Sequence, residues 1–185
     1  MLFLVHPSVV LHPGPHYTAE GSDFNFPACH VTGNPTPVVT WRKSSGPLPQ
    51  GRVHYNNAAL RISDVRKSDS DTYFCSAVNL LGTDERKTRL VVVPFPRFTL
   101  KPPVKVFASL GSILTLQCSA TGDPRPVVTW KRQGAQLPAG RSRVSKEALI
   151  INSVKLEDSG NYTCVATSAG VSSIEHRSQI VITKG

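Results

Sequence analysis

Four cysteines are the residues of this 185-residue chain best able to do covalent chemistry, and they are regularly placed. Cys29 and Cys118 each stand twelve residues before a tryptophan, Trp41 and Trp130, and each tryptophan stands thirty-four residues before another cysteine, Cys75 and Cys164. Thiols in such a pattern can close a disulfide, bind a metal, or stay reduced and buried. Tetrahedral zinc needs close ligand pairs such as C-x2-C, and the sequence has none. Buried free thiols would suit a cytosolic protein. Two pairs at identical spacing favour one disulfide in each half and an oxidising compartment. The chain-entropy estimate for closing a loop of this length is about 4 kcal/mol per bridge, against a total of roughly 5–15 kcal/mol for a small domain.

No catalytic constellation accompanies the cysteines. A nucleophile elbow, a His-Glu-x-x-His helix, a P-loop and a dinucleotide fingerprint are all absent. The six histidines (His6, His12, His16, His30, His54 and His176) do not cluster at metal-ligand spacing, and the loose His12/His16 pair sits in a Pro-Gly turn expected to be solvent-exposed. No enzymatic activity, metal or cofactor is therefore expected. One covalent signal remains. Asn161-Tyr162-Thr163 is an acceptor sequon for N-glycosylation, whereas Asn34-Pro35-Thr36 is blocked by its proline. With Tyr162 and Cys164 facing inward, Asn161 should point outward by alternation, where a glycan would partly shield one sheet.

The elements that position these residues form a repeat. Gly33-Asn34-Pro35-Thr36-Pro37-Val38-Val39-Thr40-Trp41 returns as Gly122-Asp123-Pro124-Arg125-Pro126-Val127-Val128-Thr129-Trp130, and an offset of 89 residues carries Cys29 to Cys118, Leu60 to Leu149 and Tyr73 to Tyr162 without a gap. Two copies of one unit follow, over residues 6–94 and 95–185, each able to bury a modest core. Pro and Gly total 28 residues scattered between short apolar runs, the pattern of many short strands joined by turns. No apolar run approaches the ~20 residues of a membrane-spanning helix. Met1-Leu2-Phe3-Leu4-Val5 is too short and lacks the basic start of a signal peptide, so the chain reads as part of something longer.

Within the second copy Leu114, Leu116 and Cys118 share one strand face by period two. The same positions in the first copy are Asn25, Pro27 and Cys29, with Phe24 and Phe26 on the wrong face. Proline inside a strand is tolerated mainly at bulges, so a bulge near Pro27 is expected to shift the phase and return both phenylalanines to the core. Pro94-Phe95-Pro96-Arg97-Phe98 then joins the copies as a short, stiff connection.

Cys…Trp…Cys with a tyrosine two residues before the second cysteine, twice over and among about seven short strands, resembles the immunoglobulin sandwich, and the short segment after each tryptophan resembles its I-set subclass. The resemblance implies an all-β fold of two I-set sandwiches in tandem. It also implies disulfides Cys29–Cys75 and Cys118–Cys164 with Trp41 and Trp130 packed on them, and tyrosine corners at Tyr73 and Tyr162. Arg52 and Arg141 would form structural ion pairs with Asp69 and Asp158. Asp71 departs from the family pattern, which has glycine there as at Gly160; aspartate tolerates a left-handed turn better than most residues.

Tandem I-set pairs look like the outer modules of Robo receptors, contactins, receptor tyrosine phosphatases and receptor tyrosine kinases. This implies an extracellular recognition role for a protein ligand or a second copy of the same chain, with any membrane anchor lying in other segments. An intracellular muscle-filament array and a matrix protein are the alternative settings. Charge adds a further expectation. Through Pro94 the chain has nine Lys/Arg against seven Asp/Glu, and beyond it twelve against five, so the net +9 divides as +2 and +7. Such an excess favours polyanions, and outside cells that means sulfated glycosaminoglycan. Candidate contacts are Lys101, Lys105, Arg125, Lys131, Arg132, Arg143 and Lys146. Exposed cations that merely protect sheet edges are the competing reading. Nucleic acid is not expected, because the basic residues are not interleaved with aromatics that bases could stack on.

Overall fold

The computed structural model describes residue 1 and residues 3–185. The chain forms two compact units, Met1–Val93 and Pro94–Gly185. The first contains β1 (Val5–Val10), β2 (His16–Ala19), β3 (Phe24–Asn25), β4 (His30–Asn34), β5 (Val38–Lys43), β6 (Val53–Asn56), β7 (Ala59–Ile62), β8 (Asp71–Asn79) and β9 (Gly82–Val93). A four-stranded sheet ordered β2-β9-β8-β5 packs over β3-β7-β6 and the β1-β4 pair. The second unit contains β10 (Arg97–Leu100), β11 (Lys105–Ser109), β12 (Leu114–Leu116), β13 (Ser119–Thr121), β14 (Val127–Arg132), β15 (Ser142–Ser145), β16 (Ala148–Ile151), β17 (Gly160–Ser168) and β18 (Ser172–Thr183). Its sheets are β11-β18-β17-β14 on one side and β12-β16-β15 with the β10-β13 pair on the other. Both units are all-β sandwiches.

Alternation of apolar and polar residues along each strand makes one sheet face the core and the other the surface. Cys29 is bonded to Cys75 and Cys118 to Cys164. Trp41 stands opposite Cys75 in register, and Trp130 opposite Cys164. Each indole N–H donates to a turn carbonyl at 2.9 Å, of Ala58 and Glu147 respectively, so the buried ring keeps its polar atom satisfied. Leu60, Ile62, Val65 and Leu90 complete the first core; Leu149, Ile151, Val154 and Ile180 complete the second. Burying each such side chain contributes about 1.5–3 kcal/mol. Tyr73 and Tyr162 are fully buried, and their hydroxyls donate to the backbone oxygens of Asp69 at 2.6 Å and Asp158 at 2.7 Å.

The strand that leads to Cys29 shifts by one residue relative to its counterpart. Leu114 lies opposite Ile151, whereas Phe24, and not Asn25, lies opposite the corresponding Ile62. The ladder ends at Asn25, the Phe26 N–H donates to Leu60 O at 2.9 Å, and Pro27 and Ala28 lie outside any strand. The slack residue there lets Phe26 fill the place of Leu116, buried against Phe24, Trp41 and Tyr73 with ring centroids 4.9, 5.6 and 4.7 Å away.

Two details depart from the repeat. Gly160 has φ of +152°, but Asp71 keeps an extended backbone with no positive φ, contrary to the left-handed turn allowed for it above. Its carboxylate instead accepts the N–H groups of Ser45 and Thr72 at 2.9 and 2.7 Å. Asn79 pairs with Gly82 across Leu80-Leu81, whereas Ser168 pairs with Ser172 across three residues. The constant offset therefore ends just past the second cysteine of each unit.

Candidate functional site

The Arg–Asp pairs are the most enclosed charges in both units. Arg52 grips Asp69 with two nitrogens at 2.7 and 3.0 Å and also donates to Ser63 O and Asp64 O; Arg141 grips Asp158 at 2.7 and 2.8 Å. Burial pushes the Asp69 carboxyl up, but the bonds from Arg52 and the Arg66 N–H outweigh it and hold it below the usual carboxylate range. The bonds from Arg141 lower Asp158 against the opposing effect of burial. Each aspartate also supplies the carbonyl that its tyrosine corner uses. Both pairs are engaged in hydrogen bonds within their own sandwich, and Arg52 and Asp69 also border a cleft of about 620 Å³.

The histidine pair is likewise engaged in architecture. The Thr88 hydroxyl donates to His12 O at 2.8 Å, so it accepts from His16 Nε2 at 2.9 Å, and His12 Nδ1 accepts the Gly14 N–H at 3.1 Å. Together these bonds hold the crossover between β1 and β2 against β9. His12 is exposed as expected, but His16 is half-buried.

The outer faces of the two four-stranded sheets can be compared residue by residue, because cross-strand register places equivalent side chains side by side. In the first unit Arg42, Phe74 and Lys87 form one row across β5, β8 and β9. In the second the row is Lys131, Thr163 and Arg177 across β14, β17 and β18. Arg42 lies 3.9 Å over the Phe74 ring centroid and binds both oxygens of Glu85 at 2.8 and 3.3 Å. On that face the arginine is engaged by both Phe74 and Glu85.

Thr163 is smaller than Phe74, and the space above it is a cleft of about 530 Å³ lined by Lys131, Arg132, Gln133, Thr163, Glu175 and Arg177. Thr163 forms the floor at 8 % exposure. Lys131 Nζ contacts Glu175 Oε1 at 2.7 Å, with both side chains more than half exposed (58 % and 54 %); exposed pairs of this kind contribute only about 0–1 kcal/mol. Arg177 makes one 3.3 Å bond to Gln133 Oε1. Both cations can thus turn to a ligand at small cost.

The structure distributes the seven basic residues named above over several surfaces. Lys131 is on the outer face; Arg132, one residue on, borders the same cleft, but its guanidinium is engaged away from it. Its guanidinium donates to Glu157 O and to Ser159 O at 3.2 Å and lies 5.4 Å from the Tyr162 ring centroid. Lys105 joins the outer face at the far edge of the sheet, paired with Gln179. Its Nζ lies 5.3 Å over Phe107. Three strand spacings put Lys105 about 14 Å from the line of β14. Arg143 lies on β15 and Lys146 in the turn after it, on the opposite sheet. Arg125 precedes β14 at the end away from Lys131, and Lys101 lies in the link between β10 and β11. Arg177 belongs to the face yet was not among the seven. Its place depends on the pairing of β18 with β17, which no local sequence pattern records.

The immunoglobulin I-set domain model matches residues 7–92, and an immunoglobulin domain model matches residues 96–168. Roundabout homolog 1 of Homo sapiens is 36% identical over 172 residues, covering 87% of this chain and 10% of that protein. The basement membrane-specific heparan sulfate proteoglycan core protein of Mus musculus is 35% identical over 164 residues, covering 88% of this chain and 4% of that protein. The chain thus spans a tenth or less of the length of these relatives. Among solved structures, an I-band fragment of titin superposes with a TM-score of 0.67 at 26% identity, covering 96% of this chain and 65% of that one. Two disulfide-bonded sandwiches with tryptophan on each bridge, matched by these models over most of their length, make the chain a member of the immunoglobulin family, with two domains in tandem of which the first is an I-set domain.

Proposed function

We propose that the chain is a non-enzymatic extracellular recognition module of a cell-surface receptor or adhesion protein. It binds a protein ligand or a second copy of itself, and a sulfated glycosaminoglycan occupies the outer sheet face of its second domain. The cleft over Thr163 carries this reading, because it brings Lys131 and Arg177 together on a domain of net +7 and leaves them weakly held. Lys105 extends the face along the sheet. Long-range attraction and counterion release favour a polyanion on such a surface. The disulfides support the extracellular setting, as does a relative named as a basement membrane-specific heparan sulfate proteoglycan core protein.

Retention on immobilised heparin of the chain without a glycan on Asn161, eluted with a salt gradient, tests the polyanion reading. Lys131→Ala with Arg177→Ala should bring elution to markedly lower salt. Arg143→Ala with Lys146→Ala, on the other sheet, should change it little. Equal elution of all three proteins would reject the site. Intact mass with and without reductant tests the location, and four free thiols after secretion would reject an extracellular setting.

A further inference from the structure

Asn161 lies within the same basic face. It is opposite Gln179, which is opposite Lys105, so the row Asn161, Gln179, Lys105 runs beside the row Lys131, Thr163, Arg177 at a spacing of about 7 Å. Asn161 Nδ2 donates to Gln133 Oε1 at 3.3 Å, and Arg177 Nη1 donates to the same oxygen at 3.3 Å. The atom that a glycan would modify is therefore one shared acceptor away from a guanidinium of the cleft. A polysaccharide laid from Lys131 to Lys105 crosses between Thr163 and Asn161.

We propose that N-glycosylation of Asn161 is a switch that closes this face to the sulfated glycosaminoglycan. The inference rests on the polyanion reading above and specifies how that site is regulated. Transfer forms a bond from Nδ2 to the anomeric carbon of an oligosaccharide and breaks the bond from that carbon to its lipid-linked diphosphate. The diphosphate leaves with the bonding electrons and the amide gives up one proton. Nδ2 keeps its second hydrogen, so the bond to Gln133 can survive while the sugar projects over the face. The glycan adds bulk across the path of the polyanion.

Cleft and sequon are tied together through one residue. Thr163 is small enough to leave the cleft open and is also the hydroxyl residue of the sequon. At the equivalent positions of the first domain stand Thr72 and Phe74, so it has neither cleft nor acceptor. The device is confined to the domain that carries the charge.

The test uses the whole 185-residue chain, secreted from a cell that glycosylates, with occupancy of Asn161 read by intact mass. Three forms go onto immobilised heparin: glycosylated wild type, the same protein trimmed by an endoglycosidase that leaves a single sugar, and Asn161→Gln. The glycosylated chain should bind heparin about tenfold more weakly at physiological salt than Asn161→Gln, as giving up one to two phosphate- or sulfate-type ion pairs requires, and trimming should restore most of the affinity. An unoccupied Asn161 in the secreted protein overturns the switch. Equal retention of glycosylated and unglycosylated forms overturns it while leaving the polyanion site standing. If no form is retained, the polyanion reading fails and the switch with it.

Discussion

Arg42 stacked on Phe74 and chelating Glu85 has little freedom to serve a ligand, whereas Lys131 over Thr163 holds a single carboxylate oxygen. Exchanging the floor residues should exchange these properties. Thr163→Phe is expected to fill the cleft and, compared with the unglycosylated Asn161→Gln chain, to lower the salt at which heparin releases the protein. Phe74→Thr should cost the first domain the stacking interaction, about 0.5–1 kcal/mol at an exposed site, read from denaturant unfolding. The aspartates of the ion pairs make a different prediction. Asp69 is almost wholly buried and its pKa is lowered, as is that of Asp158. A group with a depressed native pKa contributes stability that is fully present above its unfolded value of about 3.9 and is lost as pH falls through the native value. Asp69→Asn should therefore cost about 2 kcal/mol near neutral pH, the scale of a charged hydrogen bond. The variant should also lose less stability than wild type as the pH falls from about 5 to about 2. A parallel acid limb in both proteins would assign the acid sensitivity to other groups.

At the scale of the strand, Phe26 and Thr115 are related by the 89-residue offset yet lie on opposite faces. The one-residue slip before Pro27 puts Phe26 in the core at 5 % exposure, while Thr115 stays outside beside the buried Leu114 and Leu116. Phe26→Ala should thus destabilise the first domain by about 3–5 kcal/mol, and Thr115→Ala should change the second by no more than about 0.5 kcal/mol, measured by denaturant unfolding of each variant. Similar costs for both would mean that the strand keeps the phase of its counterpart. The slip was legible because proline and misplaced phenylalanines conflict with period two. The cysteines, tryptophans and tyrosines were legible for a related reason: each has a single face on which it can be buried. The basic outer face was harder to read. Lys131 and Arg132 are neighbours in sequence, but the Arg132 guanidinium is engaged away from the cleft that both border. Arg177 meets Thr163 only through the register of a long hairpin whose turn is one residue longer than in the first domain. Asp71 escaped because a side chain can satisfy neighbouring N–H groups without the backbone turn that a glycine there would take.

Across the whole chain the same frame is used twice with different charge. The first domain has nearly as many acids as bases and pairs its outward arginine with Glu85, whereas the second has an excess of seven positive charges and a cleft lined by Lys131 and Arg177. If charge density alone captured a polyanion, removing any two exposed cations would weaken binding equally. If the cleft positions the polyanion, the effect depends on which two are removed. Every sulfate left without its cation should reduce the slope of log affinity against log salt by roughly 0.7–0.9. For the unglycosylated chain, Lys131→Ala with Arg177→Ala should therefore lower the slope by about 1.5. Arg42→Ala with Lys87→Ala, the equivalent row of the first domain, removes the same formal charge and should leave the slope nearly unchanged. Affinities for heparin at four or five salt concentrations distinguish the cases. Equal losses from the two rows would mean that net charge, and not the exchange of phenylalanine for threonine on one strand, governs retention, and would reject a site localised to the second domain.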